Sequence, residues 1–266
     1  VTGSLGGIYS LTDRLSVAAN VGRGFRAPTL FELYASGVHG GVAAFQQGDP
    51  NLEEETSLNT DLSLRWASDT LRAKATVYRN AIDNYVFLRD TGDTFNGLPV
   101  FANDQTDAEL IGAELSIEKD VNDWMTLSAA ASTVDGERRD NGDELPLLPA
   151  DNVRLGAEFT PASDGWLRDP RGSVTLRYYA SKDAALGEPF AQFDDAPFGS
   201  ASTDDYFLID LGAGFSPRIA GQTVHLDLAV NNLLDEDYRG FLDTYKGYAL
   251  SPGRDVRLTA RVPFGG

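Results

Sequence analysis

Two histidines, His39 and His225, are the only imidazoles in a 266-residue chain that contains no cysteine. His39 lies in Leu33-Tyr34-Ala35-Ser36-Gly37-Val38-His39-Gly40, between Glu32 and Asp49. Neutral imidazole is a favoured ligand for zinc and related metals, and Glu32 or Asp49 would add carboxylate oxygen. The expected ligand-binding residues are therefore Glu32, His39 and Asp49, with His39 as the metal ligand. One histidine is not a zinc site, so further ligands would have to come from elsewhere. His225 shares one face of an alternating segment with Asp227, where a water or protein contact is its ordinary role. There is no GxSxG, no HExxH, no phosphate loop and no thiol nucleophile, so no enzyme is expected. No cofactor is expected either; zinc or another metal would be cargo.

The elements that must position these residues alternate with period two, the signature of half-buried strands. Val224, Leu226, Leu228 and Val230 fall opposite His225, Asp227 and Asn231; Val256, Leu258, Ala260 and Val262 fall opposite Asp255, Arg257, Thr259 and Arg261. Leu62, Leu64 and Trp66 likewise oppose Asp61, Ser63 and Arg65. The pattern predicts eleven strands, near 2–10, 14–23, 56–67, 70–88, 107–119, 124–134, 152–161, 173–182, 205–216, 223–236 and 253–264. Several are long enough for a tilted membrane crossing. Short turns such as 10–13, 67–69, 120–123 and 216–221 are set against long loops at 24–55, 89–106, 135–151, 183–205 and 237–252. A long loop at every second connection is the mark of an outer-membrane barrel rather than a soluble sandwich. The aromatic girdles expected of such a barrel are only partly visible, in Tyr9, Trp66, Tyr78, Trp124, Tyr178, Tyr179, Tyr206, Phe207 and Tyr238.

The net charge of −18 excludes nucleic acid as a partner. With the last loop begun at Asp235, the long loops carry 24 Asp and Glu against six Lys and Arg, a difference equal to the whole net charge. Such a mouth would concentrate cations and repel anions over about a Debye length.

Five segments carry a family resemblance. Gly22-Arg23-Gly24-Phe25-Arg26-Ala27-Pro28-Thr29-Leu30-Phe31-Glu32-Leu33-Tyr34, Gly48-Asp49-Pro50-Asn51-Leu52-Glu53-Glu54-Glu55-Thr56-Ser57, Ile111-Gly112-Ala113-Glu114-Leu115, Asn231-Asn232-Leu233-Leu234-Asp235-Glu236-Asp237-Tyr238 and Ser251-Pro252-Gly253-Arg254 occur in this order. Together they resemble the barrel of TonB-dependent outer-membrane receptors of Gram-negative bacteria. The segment around His39 is also similar to that of outer-membrane zinc receptors. In these segments Pro28 and Pro50 keep loop backbone out of ladders, and Gly48 permits a turn. The resemblance implies an all-β antiparallel transmembrane barrel, with residues 1–266 as strands 12 to 22 of a 22-stranded, plugged barrel. The plug domain and the first half of the barrel are then not present in this sequence. It also implies energised uptake of a scarce metal ion or metal chelate, with the TonB complex as partner through the plug and lipid and lipopolysaccharide around the wall. The alternative is a passive pore, or an adhesion or assembly barrel. The sequence departs from the family pattern at its end, where Phe264 is followed by Gly265 and Gly266.

Overall fold

The computed structural model describes residues 2–40, 44–163, 165–184, 202–243, 246 and 249–263. Its strands are β1 (Gly3–Ser10), β2 (Leu15–Arg26), β3 (Ser36–His39), β4 (Ala44–Gln47), β5 (Glu55–Ala67), β6 (Leu71–Phe95), β7 (Leu98–Asn122), β8 (Met125–Arg138), β9 (Asn152–Phe159), β10 (Arg171–Tyr179), β11 (Tyr206–Phe215), β12 (Arg218–Ile219), β13 (Gln222–Thr223), β14 (His225–Asn231) and β15 (Asp255–Arg261). One short helix, α1, spans Leu30–Tyr34. Eleven strands follow one another as antiparallel neighbours in the order β1-β2-β5-β6-β7-β8-β9-β10-β11-β14-β15. These are the eleven strands the alternation predicts, and their edges are β1 and β15.

Register makes the alternation a property of the whole wall. Val17 lies opposite Leu64, Leu64 opposite Ala75, Ala75 opposite Leu115 and Leu115 opposite Ala131. The same face continues through Val153, Tyr178 and Phe207 and is completed by Leu228 and Leu258. Many of these side chains are exposed, Leu258 at 75% and Val77 at 56%. An apolar sheet face of this extent in contact with solvent is unstable in water and suits lipid. The opposite face carries Arg65, Lys74, Glu114, Arg154, Asp210 and Asp227 and lines the lumen. Parity divides the expected girdle: Tyr9, Trp66, Tyr178 and Phe207 lie on the apolar face, whereas Tyr78, Tyr179 and Tyr206 lie on the polar one. Trp124 stacks on Phe159 at a short-turn end, with ring centroids 6.2 Å apart.

Two long connections are not loops in the expected sense. The segment 89–106 belongs to β6 and β7, strands of 25 residues each. They close on Asn96 and Gly97, with φ of 52° and 83°, the left-handed pair a type I′ turn requires. At about 3.4 Å per residue the hairpin far exceeds a bilayer crossing and projects beyond it. Within 24–55, the β3–β4 hairpin docks β4 on β7 in parallel, Phe45 beside Val100. It occupies the β7 edge above the point where β8 stops pairing, at Ala108 and Arg138. Residues 185–201 of the fourth loop, and Phe264, lie outside the described residues.

Candidate functional site: the loop-bearing mouth

The mouth is assembled around Arg26, the last residue of β2. Its guanidinium donates to both carboxylate oxygens of Glu55, at 2.7 and 2.6 Å, and to both of Glu32, at 2.9 Å. Glu55 Oε1 also accepts from the Val86 amide at 2.8 Å. One arginine thus ties β2, α1, β5 and β6 together, in the fork geometry that only guanidinium supplies. Glu32 has a second duty, closing a reciprocal capping box with Thr29: the Thr29 amide donates to Glu32 Oε2 at 2.6 Å, and the Glu32 amide to Thr29 Oγ1 at 3.2 Å. Burial pushes the Glu32 carboxyl up, but the bonds from Arg26 and Thr29 outweigh it and hold the group below its ordinary value.

The predicted ligand residues can be placed on this frame. Glu32 and Asp49 are neighbours through backbone, the Asp49 amide donating to the Glu32 carbonyl at 3.0 Å. Glu32's carboxylate is committed to Arg26 and to the helix cap. Asp49 Oδ1 accepts from the Asn51 amide and side chain, both at 2.8 Å, and so shapes the turn. His39 stands at the tip of β3, exposed, with its ring 6.5 Å from that of Phe31 in an edge-on contact. The three side chains are not gathered on one point, and among the described residues no three His, Asp or Glu side chains are grouped to hold a metal ion.

Gly48 is needed for a different reason from the one the sequence suggests. A Cβ there would lie 2.6 Å from the Leu33 carbonyl carbon and the Tyr34 nitrogen. The hairpin backbone presses directly on α1, so the requirement is close approach rather than a turn conformation. The hairpin is fixed below by Ala44 and Phe101, the latter 3% exposed, with Leu88 against them.

The rest of the mouth folds inward. Leu145 and Leu148, in the loop after β8, cover Ile82 and Ala108 on the lumenal face, with Leu110 and Tyr85 beside them. Across the mouth, Tyr206 stacks between Tyr179 and Tyr238 at 4.8 and 4.6 Å. Beneath this stack Arg177 pairs with Asp210 at 2.8 Å. Asp210 also accepts from the Asn232 amide at 2.9 Å, and Asn232 caps the following loop through Glu236. Asp235 accepts from the Arg254 amide at 2.7 Å, joining two of the five sequence segments. The Arg26 clamp, the tyrosine stack and the inward loop are not legible as a site from residue type, because each depends on at least one partner distant in the chain, such as Glu55 for Arg26 and Tyr238 for Tyr206. The one visible signal was the FRAPT run itself.

Comparison with known proteins places these features. The family model for the TonB-dependent receptor-like β-barrel matches residues 1–233. The heme/hemopexin utilization protein C of Haemophilus influenzae (strain 86-028NP) is 26% identical over 282 residues, covering 96% of this chain and 36% of its own. The iron-regulated outer membrane virulence protein of Vibrio cholerae serotype O1 (strain ATCC 39541) is 25% identical over 275 residues, covering 94% and 38%. Among solved structures, the copper transporter OprC superposes with a TM-score of 0.74 at 19% identity, over 95% of this chain and 37% of its own. The chain spans little more than a third of the length of these curated relatives.

Proposed function

This chain belongs to the TonB-dependent receptor β-barrel family, a resident of the bacterial outer membrane, and on that premise we propose that it forms part of the wall and mouth of a receptor for energised uptake of an iron chelate, with haem as cargo. The observation that carries the choice of haem is the setting of His39. It is exposed at the mouth and backed by the Phe31 ring, and among the described residues it belongs to no group of three His, Asp or Glu side chains. A free zinc ion asks for three or four protein ligands. A haem iron already has its porphyrin nitrogens and asks for one axial imidazole. An aromatic edge beside that imidazole suits a flat macrocycle. The name of the Haemophilus influenzae relative points the same way.

In this reading the β3–β4 hairpin offers His39 to the cargo, the Arg26 clamp holds the hairpin's base, and the remaining receptor supplies the plug and the contact with TonB. The test is haemin titration of the full-length receptor, followed by its Soret absorbance. His39→Ala is expected to weaken binding at least tenfold, about 1.4 kcal/mol, and to change the axial-ligand spectrum. Unchanged affinity and spectrum would remove haem ligation by His39. Uptake by intact cells should also stop when the proton-motive force is collapsed; continued uptake would favour a passive pore.

A further inference from the structure

The connections after β9 and β11 differ from the other short turns. Those after β1, β5 and β7 are two to four residues long and each carries an acid, Asp13, Asp69 or Asp123. Residues 160–170 and 216–224 are longer, and they lock together. The Ser216 amide donates to the Arg168 carbonyl at 2.6 Å, and the Trp166 ring stands edge-on to Phe215 with centroids 5.9 Å apart. Within the second connection β12 and β13 close on Ala220 and Gly221, with φ of 51° and 84°, the left-handed pair of a type I′ turn. The Val224 amide donates back to the Pro217 carbonyl at 2.9 Å.

Between the two connections lies a groove of about 470 Å³, lined by Trp166, Phe215, Ile219 and Leu226, by Arg168 and Arg218, and by no acid. Phe215 is directly opposite Leu226, and the pair ends the apolar face of the wall, so the groove opens to the membrane and not to the lumen. Trp166 is 74% and Ile219 55% exposed. Arg218 spends its Nε on the Gly221 carbonyl at 3.3 Å, which fixes the side chain and leaves its other donors unused. Among the described residues neither Arg168 nor Arg218 makes an ion pair, whereas Arg171, on the lumenal side of the same turns, is matched by Asp227. Asp169 is exposed next to Arg168 but does not line the groove, and Asp164 lies outside the described residues.

We infer that this groove seats an anionic phospholipid of the periplasmic leaflet, with an acyl chain against Phe215, Ile219 and Leu226 and the phosphate on Arg168 and Arg218. The short turns of such a barrel face the periplasm, which sets the leaflet. Charge complementarity sets the headgroup. Guanidinium grips phosphate oxygens in a fork, and two of them with no acid between favour a headgroup that carries no ammonium of its own. An exposed tryptophan beside them marks the headgroup level, where basic pockets hold anionic lipid. The free edges of the sheet are β1 and β15, and neither supplies a residue to the groove. This inference rests on family membership, which sets the side of the membrane, and not on the identity of the cargo.

The experiment titrates the full-length receptor in neutral detergent with phosphatidylglycerol, or with phosphatidylcholine of the same acyl chains, and reads retained lipid by native mass spectrometry. Phosphatidylglycerol should be held about tenfold more tightly, the scale of one charge-assisted contact. Arg168→Gln with Arg218→Gln should erase that preference, whereas Arg14→Gln, at the same end of the barrel but outside the groove, should keep it. Haemin titration of the double variant should be unchanged, which separates this inference from the choice of cargo. Heat-modifiable migration on gels checks that the barrel has folded. If the double variant does not fold, the unaltered receptor serves: raising salt from about 0.1 to about 1 M shrinks the Debye length from roughly 10 to 3 Å and should weaken phosphatidylglycerol alone. Equal retention of the two lipids, or a preference that survives the double variant, would overturn the inference. A photo-crosslinking residue at Ile219 in intact cells should give a lipid adduct; a protein adduct without one would make the groove a protein docking site and overturn it as well.

Discussion

Replacing Arg26 by Gln removes a guanidinium that four elements share while leaving the barrel ladders intact. Glu55 and Glu32 have side chains only 12% and 19% exposed, and Arg26 itself is 43% exposed. Hydrogen bonds to charged groups contribute about 1.5–3 kcal/mol when well shielded, whereas exposed ion pairs contribute about 0–1 kcal/mol. The bidentate geometry and shielded acids argue for the upper side of the exposed range. With two carboxylates left facing each other, the cost is about 2 kcal/mol. The loss is local, because the clamp sits at the ends of β2 and β5, where it joins α1 and β6 to them, while the backbone ladders below stay paired. At 1.4 kcal/mol per decade, opening of residues 27–54 should become about 30-fold more frequent. Hydrogen exchange read by mass spectrometry on the full-length receptor measures this. Amides of β4 and α1 should exchange about 30-fold faster in Arg26→Gln, with β8 to β10 unchanged. Arg26→Lys should fall between, since an ammonium keeps the charge but not the fork. A change below threefold in α1 and β4 would refute the clamp as the element that orders the mouth.

Gly48→Ala should displace the β3–β4 hairpin, at a cost of about 1–3 kcal/mol of overpacking; haemin affinity should drop while heat-modifiable migration of the barrel stays the same. Glu32 holds its proton less tightly in the fold than its ordinary value of about 4.5. Its contribution to loop order is therefore complete above about pH 4.5 and lost as pH falls below that value, and Glu32→Gln should flatten this acid limb in loop-resolved exchange. Leu145, 2% exposed, should cost about 2–5 kcal/mol when cut to Ala, read as faster proteolysis within 139–151. Gly112→Ala should weaken the wall itself, since its Cβ would lie 2.7 Å from the Thr133 carbonyl oxygen with the Tyr78 ring above it; a lower thermal midpoint of barrel unfolding measures that.

Legibility followed the range of the forces. Strand identity and facing came through because a period of two is written in consecutive residues such as Leu62 to Trp66. The girdle was only half legible: Tyr178 and Tyr179 look alike as a pair of aromatics, yet adjacent residues of a strand point to opposite faces. The 89–106 segment looks like loop in the sequence because its polar residues, Asp90, Asp93 and Asp104, lie above the bilayer, where a paired strand has no apolar face to display. Gly48 was visible as a residue but not as a contact, since its requirement comes from the backbone of α1.

The sequence by itself determined the alternation, the eleven crossings, the charge of the mouth and the family segments, all of which are local or additive properties. Only the tertiary structure decided what those segments do. Register set Arg65 against Lys74 and Arg154 against Arg177, and strand order brought Glu55 to Arg26. The fold of the first loop committed Glu32 to a clamp while leaving His39 open at the mouth. Contacts of this kind join residues distant in the chain, and their energies depend on which neighbours the ladder supplies rather than on the residues alone.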